Sequence, residues 1–235
     1  MTEFWEILIG IKSAAEEANV QIVTGDTKVV EKGKGDKIFI NTSGVGKIHK
    51  RAQISTHNVK AGDKIIVSDG IATHGVAIMS VREGLEFETA VKSDTRGLNH
   101  MVTELLDEFG EDIHVLKDPT RGGVATVLNE IARDRNLGIE ISQKQLPIQN
   151  EVSALCEILG LDPLYVANEG IFIAVVDVQI SEEVVTKLQR MDYGTNASII
   201  GEVTESHPRQ VVLTSSIGGK RIVNMLVGEQ LPRIC

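Results

Sequence analysis

The sequence is poor in the residues that several large functional classes require. Aromatic side chains make up 3% of its 235 positions, with one Trp, two Tyr and five Phe, so there is no set of stacking platforms for single-stranded nucleic acid. Positive charge is also short. The 24 Lys and Arg stand against 33 Asp and Glu, a formal charge of −9, and a surface of that sign repels a phosphate backbone. Nucleic-acid binding is excluded on both grounds. There are two cysteines, Cys156 and Cys235, and no Cys-x-x-Cys pair, so neither a disulfide framework nor a zinc pattern is signalled. The longest apolar runs, such as residues 171–176, are too short to cross a bilayer. The opening Met-Thr-Glu-Phe-Trp-Glu carries acids in place of a basic leader. No membrane partner is expected, and a cytoplasmic location is.

What is present suits a globular chain of mixed class. Hydrophobic residues reach 42% and there are 22 glycines, enough to bury a core and to turn the chain often. Phe4, Ile7, Leu8, Ile11, Ala14, Ala15 and Ala18 recur at helical spacing up to Asn19, a helix stop. Short apolar runs at 20–23 and 38–45 predict two strands around a polar, glycine-rich turn. The pattern restarts after residue 50. Strands are expected at 64–68, 113–116, 139–142, 171–176, 198–203, 211–214 and 221–225. Helices are expected from His74 onward and at 98–109, 124–134, 151–159 and 182–189. The fold class is therefore α+β. The expected division is an N-terminal part at 1–50, a C-terminal α+β domain at 51–227 and a flexible tail at 228–235 containing Pro232.

Six places are weighed for chemistry. Thr24-Gly25-Asp26-Thr27-Lys28 offers a carboxylate, a hydroxyl and an amine within one turn, a set that suits magnesium and phosphate oxygens; a turn in which Asp26 bonds its own backbone is the plainer alternative. Asp118-Pro119-Thr120-Arg121-Gly122-Gly123 precedes a predicted helix. Free amides there can meet an anion beside Arg121, or Thr120 or Asp118 can simply cap the helix. Glu169, between Asn168 and Gly170 at a strand mouth, is a candidate proton acceptor or an ordinary turn carboxylate. His74 reads as a cap or surface residue before it reads as a base, and Cys156 reads as an apolar filler on a helix face. Cys235 is different, because no packing argument asks for a thiol at a chain end and prenylation needs the cysteine as the fourth residue from the end, where Pro232 stands. From Gly228 the tail reaches roughly 25 Å at about 3.3 Å per residue, enough to bring that thiol into a cleft.

Taken together, residues 24–30 (Thr-Gly-Asp-Thr-Lys-Val-Val), 38–42 (Ile-Phe-Ile-Asn-Thr), 118–123, 167–170 (Ala-Asn-Glu-Gly) and the ending Leu231-Pro-Arg-Ile-Cys235 resemble the HypE family of hydrogenase maturation factors. The wider superfamily includes aminoimidazole ribonucleotide synthetase and selenophosphate synthetase. The resemblance implies a PurM-like α+β fold, with residues 1–50 as a remnant of an N-terminal ATP-binding domain whose remainder, found in family members, precedes this chain's start. It implies an ATP-dependent carbamoyl dehydratase: a carbamoyltransferase, HypF, loads the terminal cysteine, and the S-carboxamide is dehydrated to an S-cyanide that becomes an iron ligand of nickel-iron hydrogenase. On this resemblance Asp26 holds magnesium, and Asp26 and Thr27, with Thr120, Arg121 and Gly122, bind ATP. Lys28 and Glu169 assist the chemistry, and Cys235 is the carrier. The HypC-HypD complex is a further implied partner, and the full-length form is implied to be a homodimer. Two other readings stay open: a non-catalytic carrier or docking form that accepts the carbamoyl group without turning over ATP, and a superfamily enzyme acting on a free amide or on selenide, in which Cys235 is incidental.

Overall fold

The computed structural model describes residues 2–35, 37–84, 91–226 and 228. The chain divides into two compact units, Met1–Lys50 and Arg51–Cys235. In the first unit, α1 spans Thr2–Glu17, as the apolar spacing predicts. It stops where Asn19 turns left-handed at φ 51°, with Val20 N donating to Ala15 O at 2.9 Å. This ending satisfies carbonyls that the last turn leaves open.

The expected strands at 20–23 and 38–45 are not formed; both stretches lack regular secondary structure. The apolar residues that suggested them, including Ile22, Val23, Phe39 and Ile40, are exposed. A strand is held by ladder bonds to a neighbour and by cross-strand side-chain pairs, and no strand is present among the described residues of this unit to supply either.

The second unit is built on one mixed sheet. Its strands are β1 (Lys64–Val67), β2 (Ile113–Lys117), β3 (Gly138–Ser142), β4 (Ile173–Val176), β5 (Ser198–Thr204), β6 (Val211–Thr214) and β7 (Lys220–Val223). The spatial order is β2-β4-β1-β5-β3-β6-β7; among the described residues only β3 and β6 pair in parallel. The helices are α2 (Thr73–Arg82), α3 (Asn99–Glu108), α4 (Gly123–Arg135), α5 (Asn150–Leu159) and α6 (Ser181–Gln189). Two of them end on the residue types that tolerate a left-handed cap: Asn136 closes α4 at φ 56° and Gly160 closes α5 at φ 68°.

Strand alternation sets the layers. β1 and β4 pair with Ile65 opposite Val175 and Val67 opposite Ile173. These four side chains share one face with Val124, Val127, Leu128 and Ile131 of α4. Ile66 and Ala174 point the other way, where Met101 and Leu105 of α3 and Val184 and Leu188 of α6 cover them. A smaller cluster joins α2 to α5 through Val76, Val152, Leu155 and Cys156. Both faces are covered over β1 and β4, whereas β7 at the edge is largely exposed, and loops at the ends of the strands are where chemistry is usually placed. Register brings the last residues of β1 and β2 level with the first of β4 and β5, through Val67 with Ile173 and Ser198, and Lys117 with Ile173. The loops that follow β1 and β2, and those that precede β4 and β5, therefore meet at one end.

Candidate functional site

Asn168 is the joint of that end. It is fully buried, and its Oδ1 accepts Ala72 N at 2.7 Å while its Nδ2 donates to Pro119 O and Val166 O, each at 3.0 Å. Its backbone N also donates to Pro119 O at 3.2 Å. One side chain thus ties the loop after β1, the loop after β2 and the loop before β4. Gly75 N at the start of α2 donates to Ala167 O at 3.0 Å and strengthens the first of these ties.

The turn Asp118-Pro119-Thr120-Arg121-Gly122-Gly123 is shaped by its glycines. Gly122 and Gly123 sit at φ 72° and 58°, a region costly for residues with a Cβ. A Cβ on Gly123 would also lie 2.5 Å from Leu164 O and 2.6 Å from Val166 O. No side chain caps α4, so neither Thr120 nor Asp118 plays the capping role that the plainer reading gave them. Thr120 is half-buried and Arg121 exposed. An uncapped helix start beside an exposed guanidinium can receive an anion.

Glu169 is half-buried and lies on the neighbouring loop, its N donating to Asp94 Oδ1 at 3.1 Å. Gly170 is pressed against the same residue: a Cβ there would lie 1.7 Å from Asp94 O. Arg96 completes the wall. Its Nε donates to Asp94 O at 2.9 Å, its Nη1 donates to Asp69 Oδ2 at 3.4 Å, and its guanidinium stacks 4.7 Å from the Tyr193 ring centroid. Asp69 Oδ1 accepts from Gly70 N at 2.8 Å and from Asn196 Nδ2 at 2.7 Å.

Of the residues expected from sequence, Thr120, Arg121, Gly122 and Glu169 come together at this end. Asp26, Thr27 and Lys28 belong to the first unit and are exposed; Asp26 Oδ1 accepts Thr27 N at 2.8 Å. Cys235 and all of the tail but Gly228 lie outside the described residues. Cys156 is buried as expected, and burial with Asp162 nearby pushes its thiol up to about 11. His74 departs from its expected place at the surface. It is buried, with Nδ1 2.8 Å from Ser93 Oγ. Asp94 and Arg96 were not anticipated; the only signal was the polar run Ser93-Asp94-Thr95-Arg96 ahead of α3. Among the described residues no group of three or more His, Cys, Asp or Glu is arranged to hold a metal.

Comparison with known proteins bears on this constellation. The family description "AIR synthase related protein, C-terminal domain" matches residues 60–213, and the N-terminal domain of the same family matches 1–48. A carbamoyl dehydratase HypE of Bradyrhizobium diazoefficiens is 45% identical over 223 residues, covering 95% of this chain and 64% of the relative. The chain belongs to the HypE family. HypE in a crystal structure of a HypE-HypF complex superposes with a TM-score of 0.91 at 44% identity, over 96% of this chain and 73% of that one. HypE crystallised in complex with ATP superposes with a TM-score of 0.90 at 44% identity, over 95% and 68% respectively. The chain spans 64–69% of the length of the curated HypE relatives it matches. Among the described residues no helix is long and apolar enough to cross a membrane.

Proposed function

We propose that this chain serves nickel-iron hydrogenase maturation by ATP-dependent dehydration of a carboxamide carried on Cys235, giving a thiocyanate that supplies cyanide to iron. The observation that carries the reading is the joint at Asn168, which seats Glu169 next to the uncapped glycine turn of α4. A proton acceptor and an anion-receiving turn in one place are what such a dehydration requires, and relatives of this family are named carbamoyl dehydratases.

The residues present fit the groups this reaction needs. Asp26 and Thr27 are adjacent hard oxygen donors with Lys28 beside them, a set suited to magnesium and phosphate oxygens. Arg121 and the amide of Gly122 suit a second anionic oxygen, the Gly123 amide being bonded to Thr120 O at 3.0 Å. ATP supplies the phosphoryl group that makes the amide oxygen a leaving group. Glu169 takes protons from the carbamoyl nitrogen, and Lys28 stabilises charge on the oxygen. Cys235 is the carrier of the group. HypF is the proposed donor of the carbamoyl group, the HypC-HypD complex the proposed recipient of the cyanide, and the longer form a homodimer.

Mass spectrometry of the C-terminal peptide tests the reading. Incubation with the carbamoyl-transferring partner should add a carbamoyl group to Cys235, and ATP with magnesium should then remove one water. Modification without water loss would identify a carrier only. No modification at Cys235 would reject both.

A further inference from the structure

One acid in this site has no part in the reaction outlined above. Asp94 is 7% exposed, between the exposed Ser93 and Thr95, so the chain turns a single carboxylate inward here. Its Oδ1 accepts Glu169 N at 3.1 Å. Its Oδ2 is shielded from solvent and has no hydrogen-bond partner among the described residues. Both oxygens share one carbon, so Oδ2 also lies beside the Glu169 peptide. Leaving a buried carboxylate oxygen without a donor is unfavourable, and an Asn would hold the Glu169 amide equally well.

We propose that the missing donor is the carboxyl group of Glu169 after it has taken a proton, which makes Asp94 a positioning residue that stores a proton for Glu169. This inference rests on the dehydration reading. Conversion of an S-carboxamide to an S-cyanide removes the oxygen and both nitrogen protons. With ATP as co-reactant, the amide oxygen bonds to the γ-phosphorus while the bond from that phosphorus to the β,γ-bridging oxygen breaks and its electron pair leaves on ADP; one N–H proton passes to Glu169, and the C–N bond becomes double. The C–O bond then breaks with its electron pair leaving on phosphate, the second N–H proton is removed, and the C–N bond becomes triple. One carboxylate can hold only one of these protons. Transfer of the first to Asp94 Oδ2 restores the Glu169 carboxylate for the second.

Asp94→Asn isolates this role, since it keeps an acceptor for Glu169 N and deletes the second proton site. In the full chain, loaded by the carbamoyl-transferring partner and given ATP, the variant should carry carbamoyl at the wild-type level. It should form nitrile on the order of tenfold or more slowly, with the O-phosphorylated carbamoyl species accumulating. Asp94→Ala should be equally slow and should recover when formate, a carboxylate that fits the vacated space, is added; a merely structural residue would give no such recovery. Wild-type nitrile formation by Asp94→Asn, or no response of Asp94→Ala to formate, overturns the proposal. Thermal melting adds a readout independent of turnover: Asp94→Asn should melt at or above the wild-type Tm, and a lower Tm overturns the proposal. Failure of the wild-type chain itself to form nitrile counts against the dehydration reading, while the melting comparison still decides whether the unpartnered oxygen of Asp94 is a structural asset.

Discussion

Asn168 Oδ1 accepts a 2.7 Å hydrogen bond from Ala72 N, and Ala72 stands in the left-handed region at φ 71°. An alanine there costs about 1–2 kcal/mol relative to ordinary backbone. The amide of Asn168 meets that cost with three buried side-chain bonds to three loops. Strain at the start of α2 and the placement of Glu169 therefore depend on one residue.

Asn168→Ala should destabilise the chain by about 3 kcal/mol, because it leaves Ala72 N and the Val166 carbonyl without their partner and removes one of the two donors to Pro119 O. Urea denaturation followed by circular dichroism measures this. Loss of less than about 0.5 kcal/mol, the scale of an ordinary surface substitution, would mean that water replaces the amide at no cost.

The core of the second unit was legible because its signals are local. Ile65, Ile66 and Val67 alternate between the two faces, and α4 and α5 end on Asn136 and Gly160. Residues 20–23 and 38–45 carry the same strand signal, yet Ile22 and Phe39 stay exposed, since pairing partners are not a property of a segment's own sequence. The site was half legible for the same reason. Glu169 and the turn at Gly122 announce themselves by short motifs, whereas Asp94 acquires its meaning from a contact with a residue 75 positions away.

Gly170 is expected to tolerate no side chain. A Cβ would lie 1.7 Å from Asp94 O and 2.6 Å from Asp94 C, and these two atoms are backbone, which cannot swing away like a side-chain tip. Gly170→Ala should cost about 1–3 kcal/mol as an overpacking change and push the Glu169 loop from Asp94. Nitrile formation should fall more steeply than the melting temperature; an unchanged rate would show that the loop's position is not critical.

Cys156 should be silent toward thiol reagents in the folded chain. It is 1% exposed, and burial with the nearby Asp162 carboxylate pushes its thiol up to about 11, so at about pH 8 almost none of it is thiolate. A disulfide reagent should react slowly with Cys156 and rapidly only after denaturation. Any fast thiol in the native chain should disappear in Cys235→Ala; persistence of the fast phase would place it on Cys156.

At the opposite end of the sheet, Lys60 Nζ donates to Asp177 Oδ2 at 2.6 Å, and this pair should shape the pH dependence of stability. The hydrogen bond from Lys60, with a further one from Gln179 N, holds the Asp177 carboxyl below its ordinary 3.8. A carboxyl lowered in the folded state contributes stability that is complete above its unfolded value and fades as pH falls through the folded one. The bond to Asp177 raises Lys60 above its ordinary 10.5. That contribution is complete below 10.5 and fades as pH rises through the folded value. Lys60→Met should therefore lower the urea midpoint near neutral pH. The gap from wild type should close on the acid side below 3.8 and on the alkaline side above 10.5. A gap that stayed constant through the acid limb would assign the effect to packing of the lysine stem, because packing, unlike the ion pair, does not respond to protonation of Asp177.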